Sequence, residues 1–164
     1  MKCPDCGASN IAGSDECSGC GAPLVHMAAF LPKRGMERRI LEGTVQDLSP
    51  QTARSVSPKD SLAKAVAAMR AANVGCVLVV EREKIVGILS ERDLILKVPE
   101  TRDLAKAKVA SVMRERPTCL REDDEVAVVF HQMALSAHWH VPVKLKSGAL
   151  GVVSARDLLR YLCK

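Results

Sequence analysis

The sequence has few aromatic residues, no long hydrophobic run and only a small excess of charge. Aromatic residues make up 2% of the chain, so its core has to be built from the aliphatic side chains within the 48% hydrophobic fraction. No apolar run approaches the roughly eighteen residues of a membrane span, and no apolar segment follows Lys2 as in a secretory signal. The net charge of +5 suits an anionic small ligand and is too weak to indicate nucleic acid. We therefore expect a cytoplasmic protein without membrane association.

Four of the seven cysteines form two Cys-x-x-Cys pairs, Cys3 with Cys6 and Cys17 with Cys20, and each pair is followed by Gly. Such a pair points two thiolates at one ion, and the Gly lets the backbone bend beneath the sulfurs. Four thiolates suit a closed structural zinc site, with iron as the alternative. Disulfides fit less well, because a cytoplasmic chain has no reason to oxidise only these four cysteines.

Residues 1–24 are too few to build a hydrophobic core, so the metal is expected to fold them. This segment resembles the short zinc ribbons at the ends of many bacterial and archaeal regulatory proteins, which implies a structural or docking module for a protein partner. It is net acidic and has no aromatic ring for base stacking, which argues against nucleic-acid binding. Residues 25–43 are predicted to be a linker with a short helix near 36–41, and a binding segment is the alternative.

One motif occurs twice, as Gly87-Ile-Leu-Ser-Glu-Arg-Asp-Leu94 and, 64 residues later, as Gly151-Val-Val-Ser-Ala-Arg-Asp-Leu158. Each copy predicts a strand, a tight turn and a helix that begins at a capping Ser with a carboxylate three residues on. Backbone N–H groups and the positive end of the dipole gather at such a helix start and suit an anion. Aligned at this offset, residues 44–100 and 108–164 share eleven identities. The chain therefore contains an internal repeat.

Both copies predict the same order of elements, β-α-β-β-α. In the first, apolar residues at Leu62, Val66 and Met69 have helical spacing, and strands are predicted at 77–80 and 85–89 with a polar turn between them. The second copy predicts an extended piece at 118–120, a helix at 124–136, strands at 141–143 and 150–153, and a helix at 154–162.

A β-α-β-β-α unit that ends in Gly-φ-φ-Ser-x-x-Asp (φ, apolar) and occurs twice resembles the CBS domain, and the paired arrangement resembles a Bateman module. This resemblance covers residues 44–164. It implies an α+β fold in which two CBS units, 44–106 and 107–164, pack as a pseudo-symmetric pair beside the N-terminal ribbon. It also implies a homodimer.

CBS pairs bind adenosyl compounds such as AMP, ADP and ATP in clefts between the repeats, so the resemblance implies a regulatory nucleotide site. The carboxylate of Asp93 or Asp157 would accept hydrogen bonds from the ribose hydroxyls. Ser90 or Ser154 would bind phosphate at the helix start, and Arg92 and Arg156 would clamp it. His140 occupies a position where the family often has a phosphate-binding base. The predicted adenine walls are Val56, Ile88, Leu89, Leu120, Val152 and Val153.

Two functions follow from these expectations. The first is a sensor without enzymatic activity, in which an adenosyl nucleotide changes how the module or its ribbon contacts a protein partner. The second is an adaptor that dimerises and docks without binding nucleotide, its Ser and Asp residues serving only as helix caps. Enzymatic activity is not expected, because the sequence has no paired-carboxylate, nucleophile–base or open metal site. The sequence is compatible with two roles for Trp139 and His138: they contact a ligand, or they cover the edge of a sheet.

Overall fold

The chain falls into two compact units, residues 1–37 and 38–164. Residues 25–34 of the predicted linker at 25–43 lie outside the described residues, and its helix is present as α1, Gly35–Glu42. The computed structural model describes residues 3, 5–11, 14–23, 35–136 and 138–163.

The N-terminal unit is built around two tight turns, one for each pair of cysteines. Gly7 N–H donates to the carbonyl of Cys3 at 2.9 Å, and Gly21 N–H donates to the carbonyl of Cys17 at 2.8 Å. Both glycines have a positive φ, 75° and 72°, in the left-handed region that other residues rarely adopt. The turns therefore require the glycine that follows each pair.

The second unit contains two copies of the predicted β-α-β-β-α repeat, each preceded by a short turn and strand. None of the described helices is both long and apolar enough to cross a membrane. The first copy consists of a 3₁₀ turn at Val45–Leu48, β1 (Gln51–Thr52), β2 (Ser55–Val56), α2 (Leu62–Ala72), β3 (Cys76–Glu81), β4 (Lys84–Ser90) and α3 (Glu91–Lys97). The second consists of a 3₁₀ turn at Val109–Ser111, β5 (Arg114–Glu115), β6 (Leu120–Arg121), α4 (Val126–Ser136), β7 (His140–Lys144), β8 (Leu150–Ser154) and α5 (Ala155–Leu162).

The helix α2 shows how the local sequence sets its own limits. Ser61 caps its start, accepting a hydrogen bond from Lys64 N–H at 3.3 Å. Leu62 and Met69, two of the apolar residues with the predicted helical spacing, are buried, with 0% and 3% of their surface exposed. The helix ends at Asn73, which adopts the left-handed conformation with φ 51°.

Each repeat places one strand in the sheet of the other. One sheet has the order β2-β3-β4-β5 and the other β1-β8-β7-β6. The strand β5 pairs antiparallel with β4, with Glu115 opposite Gly87, and β1 pairs antiparallel with β8, with Thr52 opposite Gly151. The two repeats are therefore joined by backbone hydrogen bonds in both sheets.

The hydrophobic cores show the same exchange. The core of the first repeat, around α2, β3 and β4, includes Val109 and Val112 from the second repeat. The core of the second repeat, around α4, β7 and β8, includes Val45 and Leu48 from the first. A third cluster lies between the two sheets and contains buried residues Cys76, Leu78 and Ile88, with Ala53, Val80, Ile85, Leu150 and Val152 against them.

Candidate functional site

Each repeat begins its last helix with a capping box of the same geometry, as the sequence predicted. The N–H and Oγ of Ser90 donate to Asp93 Oδ2 at 3.0 and 2.6 Å, and Asp93 N–H donates back to Ser90 Oγ at 3.3 Å. Between Ser154 and Asp157 the corresponding distances are 2.9, 2.6 and 3.3 Å. One oxygen of each carboxylate is thus used by the cap, and only Oδ1 is left for another partner.

The two Oδ1 atoms have different cations beside them. Lys97 Nζ lies 2.8 Å from Asp93 Oδ1, whereas Arg160 Nη1 lies 3.6 Å from Asp157 Oδ1. Burial opposes the charged form of Asp93, but the hydrogen bonds from Lys97 and Ser90 outweigh it and lower the pKa of this carboxyl. Asp93 is therefore held in a close ion pair, and Asp157 has the looser partner.

The Asp157 capping box opens onto a cleft of about 900 Å³ between the repeats, called the larger cleft below. This volume lies in the range of small-molecule sites, about 300–1,000 Å³. One wall is formed by residues 51–54, the end of α2 and residues 73–76, and the other by β8 and the start of α5. The larger cleft brings together five of the predicted ligand residues: His140, Val152, Ser154, Arg156 and Asp157.

A smaller cavity of about 210 Å³ lies along the lead segment of the second repeat, residues 114–118, and against His138 and His140. Among the described residues, its lining includes neither Ser90 nor Asp93. Arg114 lines it, and the Nε of this side chain is buried without a hydrogen-bond partner among the described residues. The volume of this cavity is below the usual range of small-molecule sites, about 300–1,000 Å³.

Several predicted adenine walls lie in the hydrophobic cores and do not line the larger cleft or the smaller cavity. Ile88 lies in the cluster between the sheets, and Leu89, its neighbour on β4, lies in the core of the first repeat. Successive strand residues point to opposite faces, so one strand cannot present both side chains to one cleft. The four walls in the repeat cores are at most 6% exposed: Val56, Leu89, Leu120 and Val153.

His140 lies between the two repeats and lines both the larger cleft and the smaller cavity. Burial lowers the pKa of His140 below its usual value, and the negative charge of Glu91 opposes this shift only in part. Its counterpart in the first repeat is Cys76, whose pKa burial raises to about 12. Both groups are therefore neutral near pH 7, and His140 acts there as a hydrogen-bonding group and not as a cation.

Arg92, predicted to clamp phosphate in the first repeat, contacts an aromatic ring of the second. Its guanidinium carbon lies 5.9 Å from the centroid of the Trp139 ring, within the range of a cation–π interaction. Trp139 is 59% exposed and also lines the larger cleft. The contact places Arg92 on the ring, whereas Arg156, its counterpart, lines the larger cleft.

The structure adds charged cleft residues that the sequence reasoning did not single out. Arg54, Arg70, Arg160 and Glu91 line the larger cleft, and Arg114 lines the smaller cavity. They belong to different elements of both repeats, and only Glu91 lies within the repeated motif. A position-by-position comparison of the two repeats could have found them, because each stands where the other repeat has an uncharged residue.

The four cysteine sulfurs of the N-terminal unit fit a tetrahedral metal ion. All four lie within 4.8 Å of one another, with Cys3 and Cys20 3.7 Å apart and Cys6 and Cys17 3.6 Å apart. Sulfurs about 2.3 Å from a tetrahedral ion stand about 3.8 Å apart. The backbone N–H of Gly19, followed by that of Cys20, lowers the pKa of Cys17 to about 6, which favours its thiolate. A hydrogen bond from the Ala22 backbone opposes a rise in the pKa of Cys20, but the neighbouring sulfurs and burial outweigh it and raise this pKa to about 12.

The second unit is thus a pair of repeats that complete each other's sheets and form a cleft with Ser154, Arg156 and Asp157 in its lining. The family model for the CBS domain matches residues 45–100 and 109–164. The Bacillus subtilis protein YlbB is 31% identical over 116 residues, 70% of this chain and 78% of that protein. A 17.7 kDa protein of Acidianus ambivalens is 33% identical over 109 residues, 65% of each chain.

A solved CBS domain protein from Pyrobaculum aerophilum, in complex with AMP, has the same fold. Its TM-score is 0.62 at 24% sequence identity, and the match covers 73% of this chain and 98% of that one. Together with the two family-model matches, this fold places the chain plainly: it belongs to the CBS domain family. The tandem arrangement predicted from the sequence is confirmed.

Proposed function

We propose that this protein is a sensor without enzymatic activity that binds an adenosyl nucleotide in the larger cleft. The observation that carries the proposal is the cleft itself, about 900 Å³, with Ser154, Arg156 and Asp157 on its rim and His140 in its wall. The AMP complex of the Pyrobaculum aerophilum relative supports the choice of ligand. A cytoplasmic location and a protein partner contacted through the N-terminal unit belong to the same proposal.

Each part of the nucleotide has a partner of suitable chemistry on this rim. Asp157 Oδ1 accepts a ribose hydroxyl once Arg160, 3.6 Å away and largely exposed, turns toward phosphate. Ser154 and the N–H groups at the start of α5 face the phosphates, with Arg156 beside them. Val152 supplies an apolar contact for the base. His140, being neutral, donates or accepts a hydrogen bond.

The test compares calorimetric titrations of the whole chain with AMP, ATP and S-adenosylmethionine. We expect one binding event per chain in the wild type, a loss of about tenfold or more in Asp157→Asn, and retained affinity in Asp93→Asn. Asn still accepts the capping hydrogen bond, so both variants are expected to fold. A second binding event that Asp93→Asn removes would show that the first repeat binds a ligand as well.

Two results would contradict the proposal. Normal affinity in both variants would show that the carboxylates are only caps and that the site lies elsewhere. No heat and no thermal shift with any of the three ligands would favour the alternative, an adaptor that dimerises and docks without nucleotide.

For the N-terminal unit we propose one zinc ion on Cys3, Cys6, Cys17 and Cys20, as its sulfur distances support. Zinc there would hold the two turns together in a closed site, a structural role. Elemental analysis of the purified chain should find one zinc per chain, lost in Cys17→Ser and kept in Cys163→Ser, which changes an exposed cysteine outside this unit. Iron in its place would contradict the choice of metal, and an unmetallated wild type would contradict the site.

We also propose that the second unit forms a homodimer. Apolar side chains are exposed on α3 and α5, with Ile95 79%, Leu96 68% and Leu159 61% accessible. Ile95 and Leu159 are equivalent positions of the two repeats, which suits a symmetric contact. Light scattering should give twice the chain mass for the wild type and the chain mass for Ile95→Glu with Leu159→Glu. A control, Ile11→Glu in the N-terminal unit, should stay dimeric, and a monomeric wild type would contradict the proposal.

A further inference from the structure

The larger cleft is strongly cationic, and its charges come from both repeats. Arg54 and Arg70 line it from the first repeat, and Arg156 and Arg160 line it from the second. Two carboxylates, Glu91 and Asp157, stand against these four arginines. All four arginine side chains belong to exposed residues, so their guanidinium groups can reach a ligand in the cleft. The cleft therefore carries an excess of positive charge over what its own carboxylates neutralise.

Most of these arginines have no ion-pair partner among the described residues. Within residues 38–136 and 138–163, Arg54, Arg70 and Arg156 have no carboxylate oxygen within 4.0 Å, and only Arg160 pairs, at 3.6 Å, with Asp157. Unpaired guanidinium groups gathered around one cleft repel one another, and an anion between them removes that cost. The planar donor fork of Arg matches phosphate oxygens in pairs.

The internal repeat provides a matched comparison for each arginine. At the offset of 64 residues, Arg54, Arg70 and Arg160 correspond to Thr118, Ala134 and Leu96, and only Arg156 has an arginine counterpart, Arg92. That counterpart stacks on Trp139. The shared motif alone therefore does not require Arg54, Arg70 and Arg160, which have no arginine at the equivalent positions of the other repeat. The smaller cavity has its own two arginines, Arg114 and Arg116, at other positions.

We propose that the larger cleft selects nucleoside polyphosphates over monophosphates, with Arg54 and Arg70 as the residues that determine this specificity. The inference rests on the proposed function and names the ligand class of that site. Ser154 and Arg156 bind the first phosphate beside the ribose, and the arginines of the first repeat bind the phosphates further along the chain. Because these groups belong to different repeats, a polyphosphate ties the two repeats together, whereas a monophosphate contacts mainly the second.

The experiment titrates the whole chain with AMP, ATP and inorganic tripolyphosphate. The test variant, Arg54→Thr with Arg70→Ala, carries the residues that the second repeat has at the equivalent positions. A charge-matched control, Lys59→Thr with Lys84→Ala, removes two exposed cations of the first repeat that do not line the cleft. Circular dichroism checks that both variants fold.

We expect the wild type to bind ATP about tenfold or more tightly than AMP, since each charged hydrogen bond to phosphate is worth that factor or more. The test variant should lose this preference by weakening ATP alone, with AMP affinity unchanged within about twofold. The control variant should keep the wild-type preference. Tripolyphosphate should bind more weakly than ATP, because it lacks the ribose contact with Asp157.

Other outcomes overturn the inference in distinguishable ways. A wild type that binds AMP as tightly as ATP, or a test variant that loses both equally, contradicts the polyphosphate selectivity but leaves nucleotide binding intact. Tripolyphosphate binding as tightly as ATP contradicts the nucleoside part. A wild type that binds no adenine nucleotide contradicts the proposed function as well.

Discussion

The two repeats have the same fold and cap but different clefts. In both, the Ser Oγ lies 2.6 Å from the Asp Oδ2 at the start of the last helix, and in both a strand from the other repeat completes the sheet. Around this common frame, the Asp157 side opens onto about 900 Å³ and the smaller cavity holds about 210 Å³. The fold depends on the core and the caps, so the surrounding surface residues are free to differ.

The differences are concentrated at a few equivalent positions. Gly75 corresponds to Trp139, and Cys76 corresponds to His140. A Cβ added at Gly75 would lie 3.1 Å from His140 Nε2, so the small residue in the first repeat makes room for the large one in the second. A side chain at position 75 would therefore crowd His140 and Glu91, which would have to shift by a few tenths of an ångström.

The prediction with the largest expected effect compares how much the cores of the two repeats contribute to the stability of the second unit. Met69 and Met133 are equivalent residues, 3% and 8% exposed, each in the core of its own repeat. Replacing either one with Ala should lower the free energy of unfolding by about 2–5 kcal/mol, as measured by urea denaturation. Because the sheets are shared, each variant should still unfold in one transition of the second unit. A large loss for only one of them, or a second transition within this unit, would contradict the equality.

A suitable control for these variants is Val128→Ala, which changes a partly exposed residue of α4. It should alter the free energy of unfolding by no more than about 0.5 kcal/mol.

A smaller effect separates the structural role of the caps from their role in binding. Ser90→Ala and Ser154→Ala should each lower the free energy of unfolding by about 1 kcal/mol, because each leaves an N–H at a helix start without its acceptor. Only Ser154→Ala should also weaken ATP binding, since Ser154 lines the larger cleft. Thermal unfolding and calorimetry measure the two effects, with Ser55→Ala, an exposed strand residue, as the control. Equal loss of binding in both cap variants would remove the functional difference between the repeats.

The smallest expected effect is a pH dependence of the free energy of unfolding. We expect it from His140 of the second repeat and not from Cys76, its counterpart in the first. Burial lowers the pKa of His140, with Glu91 and Asp157 opposing the shift and Arg114 and Arg156 adding to it. The unfolded chain therefore takes up a proton near pH 6.5 that the folded chain resists. Stability from this group is present above that pH and is lost as the pH falls toward the lower folded pKa. Cys76 does not titrate in this range.

The measurement compares free energies of unfolding at pH 7.5 and 5.5 for the wild type and His140→Gln. The wild type should lose more stability than the variant on acidification, and His131→Gln, an exposed control, should behave like the wild type. The same loss in wild type and His140→Gln would show that another group carries the pH dependence.

Local patterns predicted most of the fold, because strands, helices and caps depend on neighbouring residues. The predicted strand at 77–80 is β3 at 76–81, and the residues with predicted helical spacing, Leu62, Val66 and Met69, lie in α2. The predicted homodimer and the partner of the N-terminal unit concern other chains and stay predictions.

The candidate site was predicted less completely, because it forms between residues that are distant in the chain. The motif identified Asp157 and Ser154, but Arg54 reaches the same cleft from a segment about 100 residues away. The exchange of β1 and β5 likewise depends on pairing across the repeats, which no local pattern encodes. For Val153 the signal was present, since strand alternation places its side chain on the face opposite its cleft-lining neighbours Val152 and Ser154.

The exchanged strands also bear on what a single repeat could be. Without β5, the strand β4 would be the open edge of a sheet, with unpaired N–H and C=O groups that favour association with another strand. A chain holding one repeat could complete its sheet in the same way by borrowing a strand from a second molecule. Joining two copies in one chain turns that contact between molecules into one within a molecule, and it lets each half acquire residues that the other lacks.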